Sequence, residues 1–87
     1  MSYQLLQLPR AKRQLRGLRR THNPYLRAIL KAISGLSNEP RPPVAEKLVG
    51  RPEWRIRIGE YRVIYSIADS ERTVTIVAIA HQRNVYR

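Results

Sequence analysis

Arg55, Arg57 and Arg62 are the side chains whose types and spacing point most directly to chemistry. From Trp54 to Tyr65 the chain reads Trp-Arg-Ile-Arg-Ile-Gly-Glu-Tyr-Arg-Val-Ile-Tyr. A two-residue turn at Gly59-Glu60 places Arg57 directly across from Arg62, with Arg55 on the same face. Like charges opposite one another on a sheet repel. Three guanidiniums with no carboxylate among them therefore imply that an anion completes the site. A planar, permanently charged fork binds phosphate oxygens in pairs, which makes a nucleic-acid backbone the leading candidate.

The bulk composition agrees. The 87 residues carry 17 basic and 6 acidic side chains, a formal net charge of +11. Nucleic acid or an acidic protein is the implied partner. The basic set is 14 Arg and 3 Lys, a bias that a GC-rich genome would also produce. With no cysteine and two histidines, disulfides, thiol catalysis and Cys-based metal sites are excluded, and a zinc site is hard to build. No cofactor and no metal are implied. No apolar run approaches the about 20 residues of a membrane span, and Met1 is not followed by a signal-peptide pattern, so no membrane association and a cytoplasmic location are expected. The length fits one domain spanning residues 1–87 with one modest core.

The arginine strands need a scaffold, and the periodicity supplies one. Tyr3, Leu5 and Gln7 alternate with Gln4, Leu6 and Leu8, a first strand buried on both faces or nearly so, ended by Pro9. From Arg10 to Arg20, Ala11, Leu15 and Leu18 recur at helical spacing while Lys12, Arg13, Arg16, Arg19 and Arg20 fill the outer arc. Asn23-Pro24 reads as the cap and first turn of a second helix bearing Leu26, Ile29, Leu30, Ile33 and Leu36 on one side. Gly35 to Pro43 breaks that helix. Val44 to Leu48 forms one helical turn at most. Three strands follow: Trp54–Ile58, then a run through Tyr61, Val63, Tyr65 and Ile67, and last one in which Val74, Ile76, Ala78 and Ala80 alternate with Thr75, Val77 and Ile79. Trp54, Ile56, Ile58, Tyr61, Val63, Tyr65 and Ile67 share the face that packs on the helices. The expected fold is α+β: strand-helix-helix, then a three-strand antiparallel meander, with the helices on one face of a small twisted sheet and the arginines on the other.

Gly59-Glu60-Tyr61-Arg62-Val63-Ile64-Tyr65-Ser66-Ile67, followed by Thr73-Val74-Thr75-Ile76 and by Ala80-His81-Gln82-Arg83-Asn84-Val85-Tyr86-Arg87, resembles the RelE branch of the RelE/ParE toxin superfamily. The resemblance covers nearly the whole chain, strongly from residue 47 onward. It implies the toxin of a type II toxin-antitoxin pair that enters the ribosomal A site and cleaves the mRNA there. An acidic cognate antitoxin that covers basic surface is implied too. Arg62 matches the family arginine after Gly-x-Tyr, and Tyr86 the C-terminal tyrosine of the Val-Tyr pair. Arg55 and Arg57 fall where the best-known members have two lysines. Arg83 matches an arginine of the last active strand, and His81, two residues earlier, is the other side chain that could occupy that space.

Metal-free RNA cleavage uses the 2′-hydroxyl as nucleophile on the adjacent phosphate, giving a 2′,3′-cyclic phosphate and a 5′-hydroxyl. It needs a base, positive charge on the phosphorane oxygens and an acid at the leaving oxygen. Arg62 with Arg57 suits the second task. Arg stays charged where Lys can lose a proton, so neither Arg55 nor Arg57 is a comfortable base. Tyr86 and His81 remain as acid or base. His81, alternating with a core-facing Ala80, is expected on the open face. The basic helix face of Lys12, Arg13, Arg16, Arg19 and Arg20 would meet ribosomal RNA phosphates. Trp54, Tyr61 and Tyr65 read as packing residues. Two other functions compete: gyrase inhibition, associated with the ParE branch, and a non-catalytic module that binds nucleic acid and antitoxin.

Overall fold

The computed structural model describes residues 2–83, so Tyr86 lies outside the described residues. The elements run β1 (Gln4–Gln7), α1 (Pro9–Arg20), α2 (Leu26–Gly35), β2 (Glu46–Lys47), β3 (Trp54–Ile58), β4 (Tyr61–Ala68) and β5 (Thr73–His81). They form an α+β fold in which two helices cover one face of a five-stranded mixed sheet of order β1-β5-β4-β3-β2. Only β1, beside β5, is parallel to its neighbour. Among the described residues no helix is long and apolar enough to cross a membrane.

Pro9 starts α1 at a position where its missing N–H costs nothing. Ala11, Leu15 and Leu18 are the buried stripe, and Arg19 and Arg20 occupy the last turn, where the helix dipole favours cations. The second helix begins later than Asn23-Pro24 suggests. Asn23 Oδ1 accepts the Tyr25 N–H at 2.8 Å, and its Nδ2 donates to the Tyr61 hydroxyl at 3.0 Å. Asn23 thus closes a local turn before the helix and ties it to β4.

The core is built from Ala11, Leu15 and Leu18 of α1, Ile29 and Ile33 of α2, Leu36, and Ile56, Val63, Tyr65, Val74, Ile76 and Ile79 of the sheet. Trp54, Ile58, Tyr61 and Ile67 pack against it, so all seven residues expected on the helix-facing side of β3 and β4 are there. Burial pushes the Tyr65 hydroxyl up to about 12, and this hydroxyl donates to the Pro40 carbonyl at 2.8 Å. Asp69 joins three separate segments. It accepts from Tyr3 at 2.7 Å and from both terminal nitrogens of Arg41, at 3.2 and 2.8 Å.

Three sequence expectations need correction. β1 is an edge strand, with no strand paired beyond it among the described residues, and its Leu6 and the following Leu8 are 46% and 42% exposed, so it is not buried on both faces. Glu46 and Lys47, inside the segment read as a helical turn, instead pair antiparallel with Arg55 and Trp54. The last strand also changes parity midway. Tyr65 lies opposite Ile76 but Ile64 lies opposite Ala78, leaving Val77 as an extra residue. Such a bulge exchanges the faces of everything beyond it. Ile79, rather than the equally buried Ala78 and Ala80, therefore joins the helix-packed cluster.

Candidate nucleic-acid interface

The β3–β4 hairpin carries the centre of the site. Ile58 pairs with Tyr61 across Gly59-Glu60, which puts Arg57 directly opposite Arg62. Gly59 adopts φ +58°, the region that the first position of such a turn demands. A Cβ there would overlap the Tyr25 ring, so the turn and the helix layer meet at van der Waals distance only because residue 59 is glycine. On the face away from the helices, Arg57 is exposed and Arg62 half-buried.

Among the described residues neither Arg57 nor Arg62 has a carboxylate within ion-pair distance. The Arg62 Nε is buried and has no hydrogen-bond partner there. A buried guanidinium nitrogen without an acceptor is costly to keep. Arg62 also lines a cleft of about 200 Å³, together with Leu48, Val49, Arg51, Arg55 and Ile64.

Arg55 shares that cleft but is not free of carboxylates, contrary to the sequence expectation. It lies opposite Glu46, whose Oε1 accepts from its Nε at 3.0 Å and its Nη2 at 2.9 Å. The β2 strand, unforeseen from sequence, brings this acid across. The same hairpin adds residues that the sequence reading missed. Between β2 and β3, Leu48 N–H donates to the Glu53 carbonyl at 3.0 Å, and Lys47 Nζ to the Arg51 carbonyl at 2.9 Å. Arg51 Nε pairs with Glu53 at 3.2 Å. Gly50 and Pro52 flanking Arg51 were the available signal for a tight turn.

His81 is displaced from its expected place. It pairs with Tyr61, on the helix-facing side, and meets that ring edge-on at 5.0 Å and 86°. Ala80, not His81, lies opposite Arg62. The extra residue at Val77 causes this reversal. His81 Nε2 lies 2.8 Å from Glu60 Oε1, and its Nδ1 accepts the Arg83 N–H at 3.1 Å. Arg83 is exposed, three residues beyond Ala80, so its Cα is within about 11 Å of the Ala80 Cα.

Lys12, Arg13, Arg16, Arg19 and Arg20 are all exposed on α1. Since α1 covers the face opposite to Arg57 and Arg62, the two cationic sets lie on opposite sides of the sheet. The structure therefore brings together Arg55, Arg57 and Arg62, and sets the helix arginines and His81 apart from them.

Comparison with known proteins matches residues 5–86 to the family described as ParE toxin of type II toxin-antitoxin system, parDE. Comparison with curated proteins gives no match. Among solved structures, the toxin-antitoxin complex RelBE2 from Mycobacterium tuberculosis is similar at 29% identity and TM-score 0.74, covering 93% of this chain and 99% of that one. The intact RelBE toxin-antitoxin complex of E. coli shows 22% identity and TM-score 0.79, covering 99% of this chain and 100% of that one. The archaeal RelE-RelB complex from Pyrococcus horikoshii shows 23% identity and TM-score 0.75, covering 98% and 100%. At these last two identities the likeness establishes the fold alone.

Proposed function

The chain belongs to the ParE toxin family of type II toxin-antitoxin systems, within the RelE/ParE superfamily, and from that premise we propose that it is a metal-independent mRNA endoribonuclease acting in the ribosomal A site. The observation that carries this reading is the Arg57–Arg62 pair, unbalanced by any described carboxylate, with a buried Arg62 nitrogen awaiting an acceptor. Arg62 and Arg57 hold the scissile phosphate and offset the charge that develops as the 2′-oxygen attacks phosphorus and the 5′-oxygen departs. Arg55, restrained by Glu46, and Arg83 contact the flanking backbone. With His81 on the other face of the sheet, proton transfer falls to Tyr86. The α1 arginines, with Lys12, meet ribosomal RNA phosphates from the opposite side. The partner in the resting state is an acidic antitoxin in the cytoplasm, as supported by the RelB-bound neighbours.

A second reading, inhibition of DNA gyrase, is favoured by the matched family being that of ParE. Mapping mRNA ends after induction separates the two. Cuts within translated codons, lost in a folded Arg62→Ala variant, support the first; relaxed supercoiling with intact mRNA supports the second.

A further inference from the structure

His81 occupies a place that the phosphate-binding arrangement leaves without a task. It lies at the end of β5 beside the β3–β4 turn, with its ring edge on Tyr61 and a cleft behind it lined by Gln14, Gly17, Leu18, Tyr61 and Ile79. The Tyr61 hydroxyl in turn accepts from Asn23. Both imidazole nitrogens are engaged. A backbone N–H, that of Arg83, donates to Nδ1, so Nδ1 carries no proton, and Nε2 is then the nitrogen that donates to Glu60.

Glu60 holds the same stretch of chain a second time. Its carbonyl accepts the Gln82 N–H at 2.7 Å. Three hydrogen bonds thus converge on residues 81–83: Glu60 carboxylate to His81, Glu60 carbonyl to Gln82, and His81 to Arg83. Glu60 itself sits in the turn whose flanking strands present Arg57 and Arg62. The backbone of Arg83 is therefore referenced, through one imidazole, to the turn that positions the arginine pair.

We propose that His81 is a positioning residue whose Nδ1, by accepting the Arg83 N–H, ties down the Arg83 backbone and so places Arg83 relative to Arg57 and Arg62, the bond to Glu60 serving only to orient the ring, while His81 never touches RNA itself. The proposal rests on the endoribonuclease reading for its catalytic consequence and on geometry alone for the tie. Because a misplacement near 1 Å can cost about 100-fold in rate, the effect falls on the chemical step rather than on ribosome binding.

The two amide substitutions separate the two bonds. In His81→Asn, Oδ1 stands where Nδ1 stood and still accepts from Arg83, whereas His81→Gln keeps a donor for Glu60 and loses that acceptor. In single-turnover cleavage of mRNA on programmed ribosomes, His81→Ala and His81→Gln lower the saturated rate by about 10- to 100-fold with the half-saturating ribosome concentration unchanged. His81→Asn recovers most of the rate. A wild-type rate in His81→Ala overturns the proposal. So does an Asn variant as slow as Ala, the outcome of proton transfer by the imidazole. Amide hydrogen exchange on the full chain supplies the arm that is independent of activity. Arg83 N–H is protected in wild type and His81→Asn and unprotected in the Ala and Gln variants; equal protection in wild type and Ala overturns the tie. A wild-type chain with that exchange pattern and no cuts supports the tie and overturns the cleavage reading.

Discussion

Arg62→Met is expected to make the antitoxin-free protein more stable and inactive at once. Methionine keeps the aliphatic stem of arginine, and its terminal methyl stands where the buried Nε stood. The substitution removes a buried donor that has no acceptor among the described residues, a liability of about 1–3 kcal/mol. It also removes a like-charge pairing with Arg57, about 0.2–1 kcal/mol. A net gain of about 1 kcal/mol or more raises the thermal midpoint of a domain this size by about 4–8 °C per kcal/mol. Arg57→Met is the control, since Arg57 is exposed and its loss relieves only the repulsion. Thermal unfolding by circular dichroism is the assay, run with and without an RNA oligonucleotide. The oligonucleotide should stabilise wild type by about 2.7 kcal/mol at a hundred times its Kd and leave Arg62→Met far less changed. Endonucleolytic cutting should fall by about 10²–10³ in Arg62→Met. If Arg62→Met lowers the midpoint, or raises it no more than Arg57→Met does, the buried nitrogen is not an unmet demand and the reasoning fails.

Gly59→Ala forces a methyl into the Tyr25 ring at a positive φ, so denaturant titration should show a loss of about 1–3 kcal/mol, partly recovered in combination with Tyr25→Leu; an unchanged midpoint refutes the contact. Asp69 is held down to about 2, chiefly by its hydrogen bonds from Arg41 and then from Tyr3. Its folded value lies below the unfolded value of about 3.9, so its contribution is fully present above that pH and is lost as pH falls through about 2. Urea midpoints measured from pH 5 to 2 should therefore decline less steeply in Asp69→Asn, and an identical slope refutes this. Arg13→Ala or Arg19→Ala should each reduce the salt dependence of ribosome binding by about 0.7–0.9 in log–log slope for every phosphate the arginine neutralises, and a lower cleavage rate at saturating ribosome would refute a role confined to binding.

The parts of this fold that were legible in the sequence are those in which one local rule decides the outcome. Gly59 sets the turn and thereby the register, so the opposition of Arg57 to Arg62 and the helix-facing set from Trp54 to Ile67 followed from period-two alternation. The stripe of Ala11, Leu15 and Leu18 fixed the buried side of α1 in the same way. What escaped depends on pairings across the chain. Glu46 is nine residues from Arg55 and meets it only because a two-residue strand forms in a proline-rich segment, where strand propensity is silent. The irregularity at Val77 left no trace because Ala78, Ile79 and Ala80 tolerate either face equally. His81 was misplaced for that reason alone. Arg51, Leu48 and Val49 line the cleft from a loop whose Gly50 and Pro52 announce a turn but not its direction.

The unpaired residue at Val77 lets one strand obey two opposite parities. Up to Ile76 the even-numbered residues of β5 face the helices, and from Ala78 onward the odd-numbered ones do. Removing that one codon would close the ladder with Ile79 and His81 still toward the helices and Ala80 still opposite Arg62, so the remote placement of the histidine would survive the loss of a triplet, whereas straightening the strand with every residue kept would turn the imidazole toward the guanidiniums.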